Sequence, residues 1–200
     1  MLRLRDDAEA GVLALELREL EVTPPRQDFD PEVTAAERAA RDGQVASIDP
    51  ARALYRRFGS DPTKHRPSSE ALLRRVRKGE GLPRINSLVD VANVLSLRRQ
   101  VPVGLYDLDR VVGDELVVRI GAEGEGYEGI RKDWVSVAGR LCVVDGEGPC
   151  GNPSSDSART AIGTATERAA WIYFLPISDA DLARTAELVA RYGRGLLSPV

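Results

Sequence analysis

The hydrophobic pattern of this chain changes near residue 100, and that change is the strongest constraint on its fold. Residues 31–98 carry apolar side chains at helical spacing, interrupted by proline and glycine, whereas short β-type runs separated by glycine-rich turns follow from residue 101. Helices and strands that succeed one another without strict alternation are typical of α+β proteins. We therefore expect an α+β fold with a mixed β-sheet core and helices packed on it.

Capping residues and chain breakers set the limits of the predicted elements. Asp49 and Ser178 are good N-cap residues, and Ser87 followed by Asp90 predicts a capping box. The predicted helices are 31–44, 49–58, 67–78, 87–98 and 178–192, and the predicted strands are 11–20, 101–106, 115–120, 141–144 and 169–175. A helix is the alternative for 11–20. Residues 121–126 are interpreted as a hairpin turn and not as a nucleotide-binding loop, because no convincing helix follows them.

The charge of the chain is uneven. Its 200 residues carry a formal net charge of -3, which excludes binding to nucleic acid through the whole surface. Residues 64–84 nevertheless contain seven basic and two acidic residues. The cations of helix 67–78 either form a solvated face or contact phosphates. The candidate RNA-binding residues are Arg66, Arg74, Arg77, Lys78 and Arg84.

Several kinds of chemistry have little support in the sequence. His65 is the single histidine, so a histidine-centred triad would depend on it alone. We expect Cys142 and Cys150 to be buried or idle thiols, with a disulfide between them as the alternative. They lack paired-ligand spacing, so we expect no metal, and we also expect no cofactor. The chain has no apolar stretch that could span a bilayer and no secretory signal at its start. These features predict a cytoplasmic protein with no membrane partner.

Two polar segments are candidates for a binding site. Asn86, Asp90 and Asn93 share one side of a helix start; Asn86 can simply cap the helix, whereas Asn93 can equally face a pocket. Residues 148–160 are rich in glycine and hydroxyl groups and follow a predicted strand. They form either a plain surface loop or a loop that presents N–H groups to a small ligand.

Longer stretches resemble a known domain family. LPRINSLVDVAN at 82–93, VPVGLYDLD at 101–109, and Arg119 with GAEGE at 121–125 resemble the tRNA-editing B3/4 domain of the bacterial phenylalanyl-tRNA synthetase beta subunit. The order and spacing of the motifs match over residues 66–175. RPSSEALL at 66–73 is similar to freestanding relatives of that domain. The resemblance implies a B3/4-like domain at 61–200, with an N-terminal strand and helices at 1–60 packed on it.

The resemblance also implies a pocket for an amino acid between two halves of the domain. Hydrolysis there would need a positioned water and donors for an oxyanion more than a protein nucleophile, and the catalytic residues stay unassigned. The implied donors include backbone N–H groups near Gly148 and Gly151. The implied pocket residues are Ala92, Asn93, Gly104, Tyr106, Gly148, Gly151, Asn152, Ser155, Asp156, Arg159 and Thr160.

Two departures from the family pattern bear on the substrate. Gly104 stands where the synthetase has a histidine, and an apolar residue near Ile172 stands where the synthetase offers a glutamate to read the tyrosine hydroxyl. A pocket without these two groups does not select a phenol by the same hydrogen bonds. We therefore expect a substrate other than tyrosine.

The sequence thus leads to two hypotheses. The first is a freestanding B3/4 protein that binds tRNA or aminoacyl-tRNA and hydrolyses a mischarged ester in trans, without aminoacylation activity. The alternative is a non-catalytic module that binds a free amino acid or another small metabolite in the same pocket.

Overall fold

The computed structural model describes residues 2–130 and 132–200. Within them the helices are α1 (Asp30–Arg41), α2 (Asp49–Arg57), α3 (Ser68–Arg77), α4 (Ser87–Arg99) and α5 (Asp179–Leu188), which continues into a π-helical turn at Val189–Gly193. The strands are β1 (Arg3–Asp6), β2 (Leu13–Arg18), β3 (Val103–Asp107), β4 (Glu115–Ile120), β5 (Gly126–Gly129), β6 (Lys132–Ser136), β7 (Leu141–Val144), β8 (Pro149–Asn152), β9 (Ser155–Asp156), β10 (Ala169–Tyr173) and β11 (Leu196–Pro199). The α+β prediction is confirmed.

One sheet carries the helices. Its strand order is β11-β2-β10-β3, and every pair is antiparallel. The predicted strand near residue 15 is confirmed as β2, whose Leu15 and Leu17 are buried in the core. That core also holds apolar residues of α1, α3 and α4, so the helices form a layer over one face of this sheet.

A second sheet covers the other face. Its order is β1-β4-β7-β8-β9, in which β1 and β4 are parallel and the remaining pairs antiparallel. A second core joins Leu116 and Val143 of this sheet to Ala14, Tyr106 and Ile172 of the first. The strands β3 and β9 are edge strands of their sheets and lie against each other.

Two sequence predictions in the β region are wrong. Residues 121–126 do not form a hairpin turn, because β4 pairs with β1 and β7 while β5 pairs with β6. The segment instead connects β4 to a separate two-stranded sheet formed by β5 and β6. The ion pair of Arg119 with Glu125 at 2.7 Å holds this connection in place. Residues 148–160 are not a plain loop, since they contain β8 and β9 joined by a tight turn.

The start of α4 differs from the predicted capping box. Asn86, and not Ser87, is the N-cap, and its side chain accepts from the N–H of Val89 at 2.9 Å. Asp90 reaches back to accept from the N–H of Ile85 at 2.7 Å. Ser178 caps α5 as predicted by accepting from the N–H of Asp181. No helix in the described part of the chain is both long and apolar enough to cross a membrane.

Candidate functional site

A cavity of about 420 Å³ lies where the edges of the two sheets meet beneath α3 and α4. α3 and α4 contribute small and apolar side chains, β3 contributes Val103 and Leu105, and the β8–β9 turn contributes a polar rim. The lining residues are Ser68, Ala71, Leu72, Pro83, Ile85, Val89, Ala92, Asn93, Ser96, Val103, Leu105, Ile130, Ser154, Ser155, Asp156, Ala161 and Ile162.

Four of the residues that the sequence placed in the pocket line this cavity. Ala92 and Asn93 do so from α4, and Ser155 and Asp156 from β9. The amide of Asn93 donates a long hydrogen bond of 3.5 Å to the carbonyl of Pro83. The other seven proposed pocket residues do not line this cavity.

Asn152 and Thr160 act behind the cavity. The side-chain oxygen of Asn152 accepts from the N–H groups of Ser154 at 2.7 Å and Ser155 at 3.1 Å. Thr160 is buried and its hydroxyl donates to the carbonyl of Cys150. The two bonds to Asn152 fold the β8–β9 turn and so hold Ser155 at the cavity wall, whereas the bond of Thr160 ties the segment after β9 to β8.

Gly148 and Arg159 lie in a separate surface depression, next to Tyr127 and Trp134. Arg159 forms a bidentate ion pair with Asp145, both bonds being 2.8 Å. The N–H of Gly148 donates to the same carboxylate at 3.2 Å. Arg159 and the N–H of Gly148 therefore stabilise the segment before β8, and neither residue lines the cavity.

Gly104, Gly151 and Tyr106 belong to the second core. Tyr106 is fully buried, and a Cβ placed on Gly104 or on Gly151 would come within 2.6 Å of its side chain. Ile172 is paired with Gly104 in the sheet and is buried in the same core. In this chain, therefore, both departures from the family pattern lie on a packed face, and the cavity opens on the opposite face of β3.

Asp156 is the single charged residue among the described residues that line the cavity. It is partly exposed, and it is one of the residues that line the cavity. Burial raises the pKa of Asp156 to about 7, although the N–H of Leu105 and the hydroxyl of Tyr106 oppose the rise. That hydroxyl lies near Asp156 but forms no hydrogen bond of normal length and angle with any described residue. Near neutral pH, Asp156 therefore exists as a mixture of its neutral and charged forms.

The five candidate RNA-binding residues differ in their surroundings: three are exposed, and two lie beside carboxylates. Arg74, Arg77 and Lys78 are exposed at the C-terminal half of α3, although Arg77 also donates to the carbonyl of Ala40. Arg66 lies 3.6 Å from Glu70. Arg84 is held by Asp30 and Asp90, so it fixes the start of α4 and is not available to a ligand.

Sequence reasoning missed the wall that α3 supplies, and it assigned Gly104 and Tyr106 of β3 to the pocket although Val103 and Leu105 line the cavity. Small residues at Ser68 and Ala71 leave one side of α3 open, and they could have indicated a cavity wall. Strand alternation places Val103 and Leu105 opposite Gly104 and Tyr106. This alternation shows that the two pairs of residues lie on different faces of β3, but it does not show which face borders a cavity. The described residues include no cluster of three or more side chains suited to hold a metal ion.

Comparisons with known proteins agree with the sequence motifs. A family model described as B3/4 domain matches residues 50–188, more than half of the chain. The phenylalanine–tRNA ligase beta subunit of Protochlamydia amoebophila (strain UWE25) is 36% identical over 70 residues, which are 34% of this chain and 9% of that protein.

A structural comparison gives a weaker likeness. The crystal structure of an N-terminal fragment of the phenylalanyl-tRNA synthetase beta-subunit from Pyrococcus horikoshii has a TM-score of 0.47 and 9% identity. The match covers 98% of this chain and 50% of that one. The chain thus spans only part of each of these two relatives.

Proposed function

Because the chain belongs to the B3/4 domain family, we propose that it binds tRNA or aminoacyl-tRNA and takes the aminoacyl group into the cavity under α3 and α4. One observation carries the proposal: a single helix supplies both parts of such a site. The N-terminal half of α3 lines the cavity through Ser68, Ala71 and Leu72, and its C-terminal half exposes Arg74, Arg77 and Lys78.

The cavity suits a small organic group. Its volume of about 420 Å³ lies within the range of small-molecule sites, roughly 300–1,000 Å³. Apolar side chains form most of the wall, and the polar groups are divided between the helices α3 and α4 and the β8–β9 segment. An apolar amino-acid side chain fits this distribution better than a phenol, whose hydroxyl needs a dedicated partner.

Hydrolysis of the bound ester is the second part of the proposal. As the family resemblance implies, the reaction would use a positioned water more than a protein nucleophile, and no cysteine, histidine or lysine lies among the described residues of the wall. The hydroxyl of Ser154 already donates to the carbonyl of Arg66 at 2.8 Å, which leaves the hydroxyls of Ser68 and Ser155 and the amide of Asn93 as donors that border the cavity. They would hold the water and the carbonyl oxygen of the ester.

The RNA part is tested by the salt dependence of tRNA binding. A double variant, Arg74→Glu with Arg77→Glu, should bind tRNA more weakly, and its slope of log affinity against log salt should be shallower by about 2. The matched control is Arg3→Glu with Arg194→Glu, which makes the same charge change at exposed ion pairs on β1 and near β11. Equal binding by the two double variants would contradict a role for α3.

The hydrolytic part is tested by a deacylation screen. tRNAs carrying each amino acid are incubated with the protein and with the variants Asn93→Ala and Asn152→Ala. Release of one amino acid class, reduced in both variants, would support hydrolysis. No release from any tRNA, together with a thermal shift by a free amino acid, would instead support a non-catalytic binding module.

A further inference from the structure

The cavity wall contains a carboxyl group without a counter-ion. Asp156 borders the cavity from β9, and the remaining described wall residues are uncharged. Most of the other wall residues are apolar, among them Leu72 of α3 and Val89 of α4. Asp156 is therefore the one charged group in a described wall that is mostly apolar.

The groups behind Asp156 do not supply the missing positive charge. Tyr106 on β3, Tyr127 on β5 and Cys150 on β8 are the titratable groups coupled to it, and each has its pKa raised by burial. All three are neutral at pH 7, and no described cation is among the groups that shift Asp156. A carboxylate removed from water without a partner is costly, and a cation brought by a ligand would remove that cost.

A hydroxyl group of the wall lacks a hydrogen-bond partner within the described part of the chain. The hydroxyl oxygen of Ser68, at the first position of α3, is shielded from solvent and has no hydrogen-bond partner among the described residues. Ser155, next to Asp156, borders the same space. The wall therefore combines one anionic group with hydroxyls that can accept from the N–H groups of an ammonium.

We propose that Asp156 determines the specificity of the cavity by pairing with a protonated primary amine that is attached to an apolar group. The inference rests on the proposed function in one respect, namely that the natural ligand is an aminoacyl group, whose amine is adjacent to the ester. The apolar wall of α3 and α4 receives the side chain, and Asp156 reads the ammonium. A ligand of equal shape with a hydroxyl in place of the amine makes no ion pair and binds more weakly.

Two matched probes isolate this interaction. 3-Methylbutan-1-amine and 3-methylbutan-1-ol share one apolar group, and the amine stays protonated between about pH 5 and pH 9, as a lysine side chain does. At about pH 8 the wild-type protein should bind the amine about tenfold or more tightly than the alcohol, the range expected for a hydrogen bond to a charged group. Binding is measured by calorimetry or by chemical-shift titration.

Asp156→Asn should reduce the ratio of the two affinities to about one. Asp109→Asn is the matched control, because Asp109 is exposed just after β3 and outside the cavity wall. In wild type, the affinity for the amine should rise as the pH increases through about 7, while that for the alcohol stays constant. This pH profile tests the proposal even if the variant does not fold.

The proposal is overturned if wild type binds both probes equally, or if Asp156→Asn keeps the preference for the amine. Its failure differs from failure of the proposed function. Loss of the amine preference with intact, salt-dependent tRNA binding would remove only the role of Asp156. An amine preference abolished by Asp156→Asn, with no tRNA binding, would keep that role and remove the RNA function.

Discussion

The two faces of β3 have opposite characters. On one face, Val103 and Leu105 border a cavity that also holds Asp156. On the other face, Gly104 and Tyr106 pack into a core that leaves no room for an added methyl group at Gly104. One strand thus separates an open cavity from a filled core, so the same substitution has different consequences on its two sides.

The packing of Tyr106 accounts for the departure from the family motif at Gly104. A histidine is absent at 104 because the ring of Tyr106 occupies that space, with its hydroxyl 2.6 Å from the position of a Cβ at Gly104. Gly151 on β8 borders the same ring. The side chain of Tyr106 therefore fills the space beside Gly104, and the residues of β3 that border the cavity lie on its other face.

The largest predicted effect follows from restoring the histidine. Gly104→His forces an imidazole into the space of the Tyr106 side chain, and overpacking of a filled core displaces the backbone. We expect the free energy of unfolding to fall by about 4 kcal/mol or more, or the native state to be lost. Urea denaturation followed by circular dichroism measures it.

A smaller pair of variants tests whether the Tyr106 hydroxyl is the cause. The Cβ of Gly104→Ala would lie 2.6 Å from the hydroxyl and 3.0 Å from the nearest ring carbons, whereas that of Gly151→Ala would lie 2.6 Å from both the hydroxyl and ring carbon Cε1. Tyr106→Phe should therefore restore more stability to Gly104→Ala than to Gly151→Ala. Equal recovery in the two backgrounds, or tolerance of Gly104→His, would contradict the filled face.

The next prediction concerns Asp156, which lines the cavity and lies near the Tyr106 hydroxyl on the other face of β3. Because the pKa of Asp156 is raised from 3.8 to about 7, the folded chain binds more protons than the unfolded chain between these values. The contribution of Asp156 to stability therefore falls as the pH rises from about 4 to about 7. Asp156→Asn should remove this decline and raise the free energy of unfolding at about pH 8 by on the order of 3 kcal/mol, with little change at about pH 4.

The measurement is a series of denaturation curves from about pH 4 to pH 8 for wild type, Asp156→Asn and the exposed control Asp109→Asn. The control should keep the wild-type slope. A slope in Asp156→Asn equal to that of wild type would show that the pKa of this carboxyl is not raised in the native state, and hence that burial does not keep it neutral.

The same comparison shows what the sequence can and cannot predict. α5 follows from its cap at Ser178, and β4 and β7 follow from their apolar runs, because these signals are local. The two-residue strand β9 has no such signal, since it forms only through pairing with β8. The resemblance identified Ala92 and Asp156, but Gly104 was assigned to the pocket because a motif does not say which face of a strand is covered.

The α3 wall escaped the sequence reading for a related reason. The cations of α3 indicate an exposed outer face. The small residues that leave space beneath α3 indicate a cavity only once α4 and β9 are known to lie opposite them. Ser68 and Ala71 border the cavity because β9 reaches the edge of β3, which is a long-range contact. Periodicity within one helix does not contain that information.

The smallest predicted effect on stability is on the open face. Ala92 is buried on α4 beside the cavity, so the larger side chain of Ala92→Leu can extend into existing space. We expect the free energy of unfolding to change by less than about 1 kcal/mol, because added apolar contacts offset lost side-chain freedom. Binding of 3-methylbutan-1-amine should be lost, since the leucine occupies the apolar end of the cavity. Destabilisation comparable to that of Gly104→Ala would show that the two faces of β3 are equally packed, and unchanged amine binding would place the ligand outside this cavity.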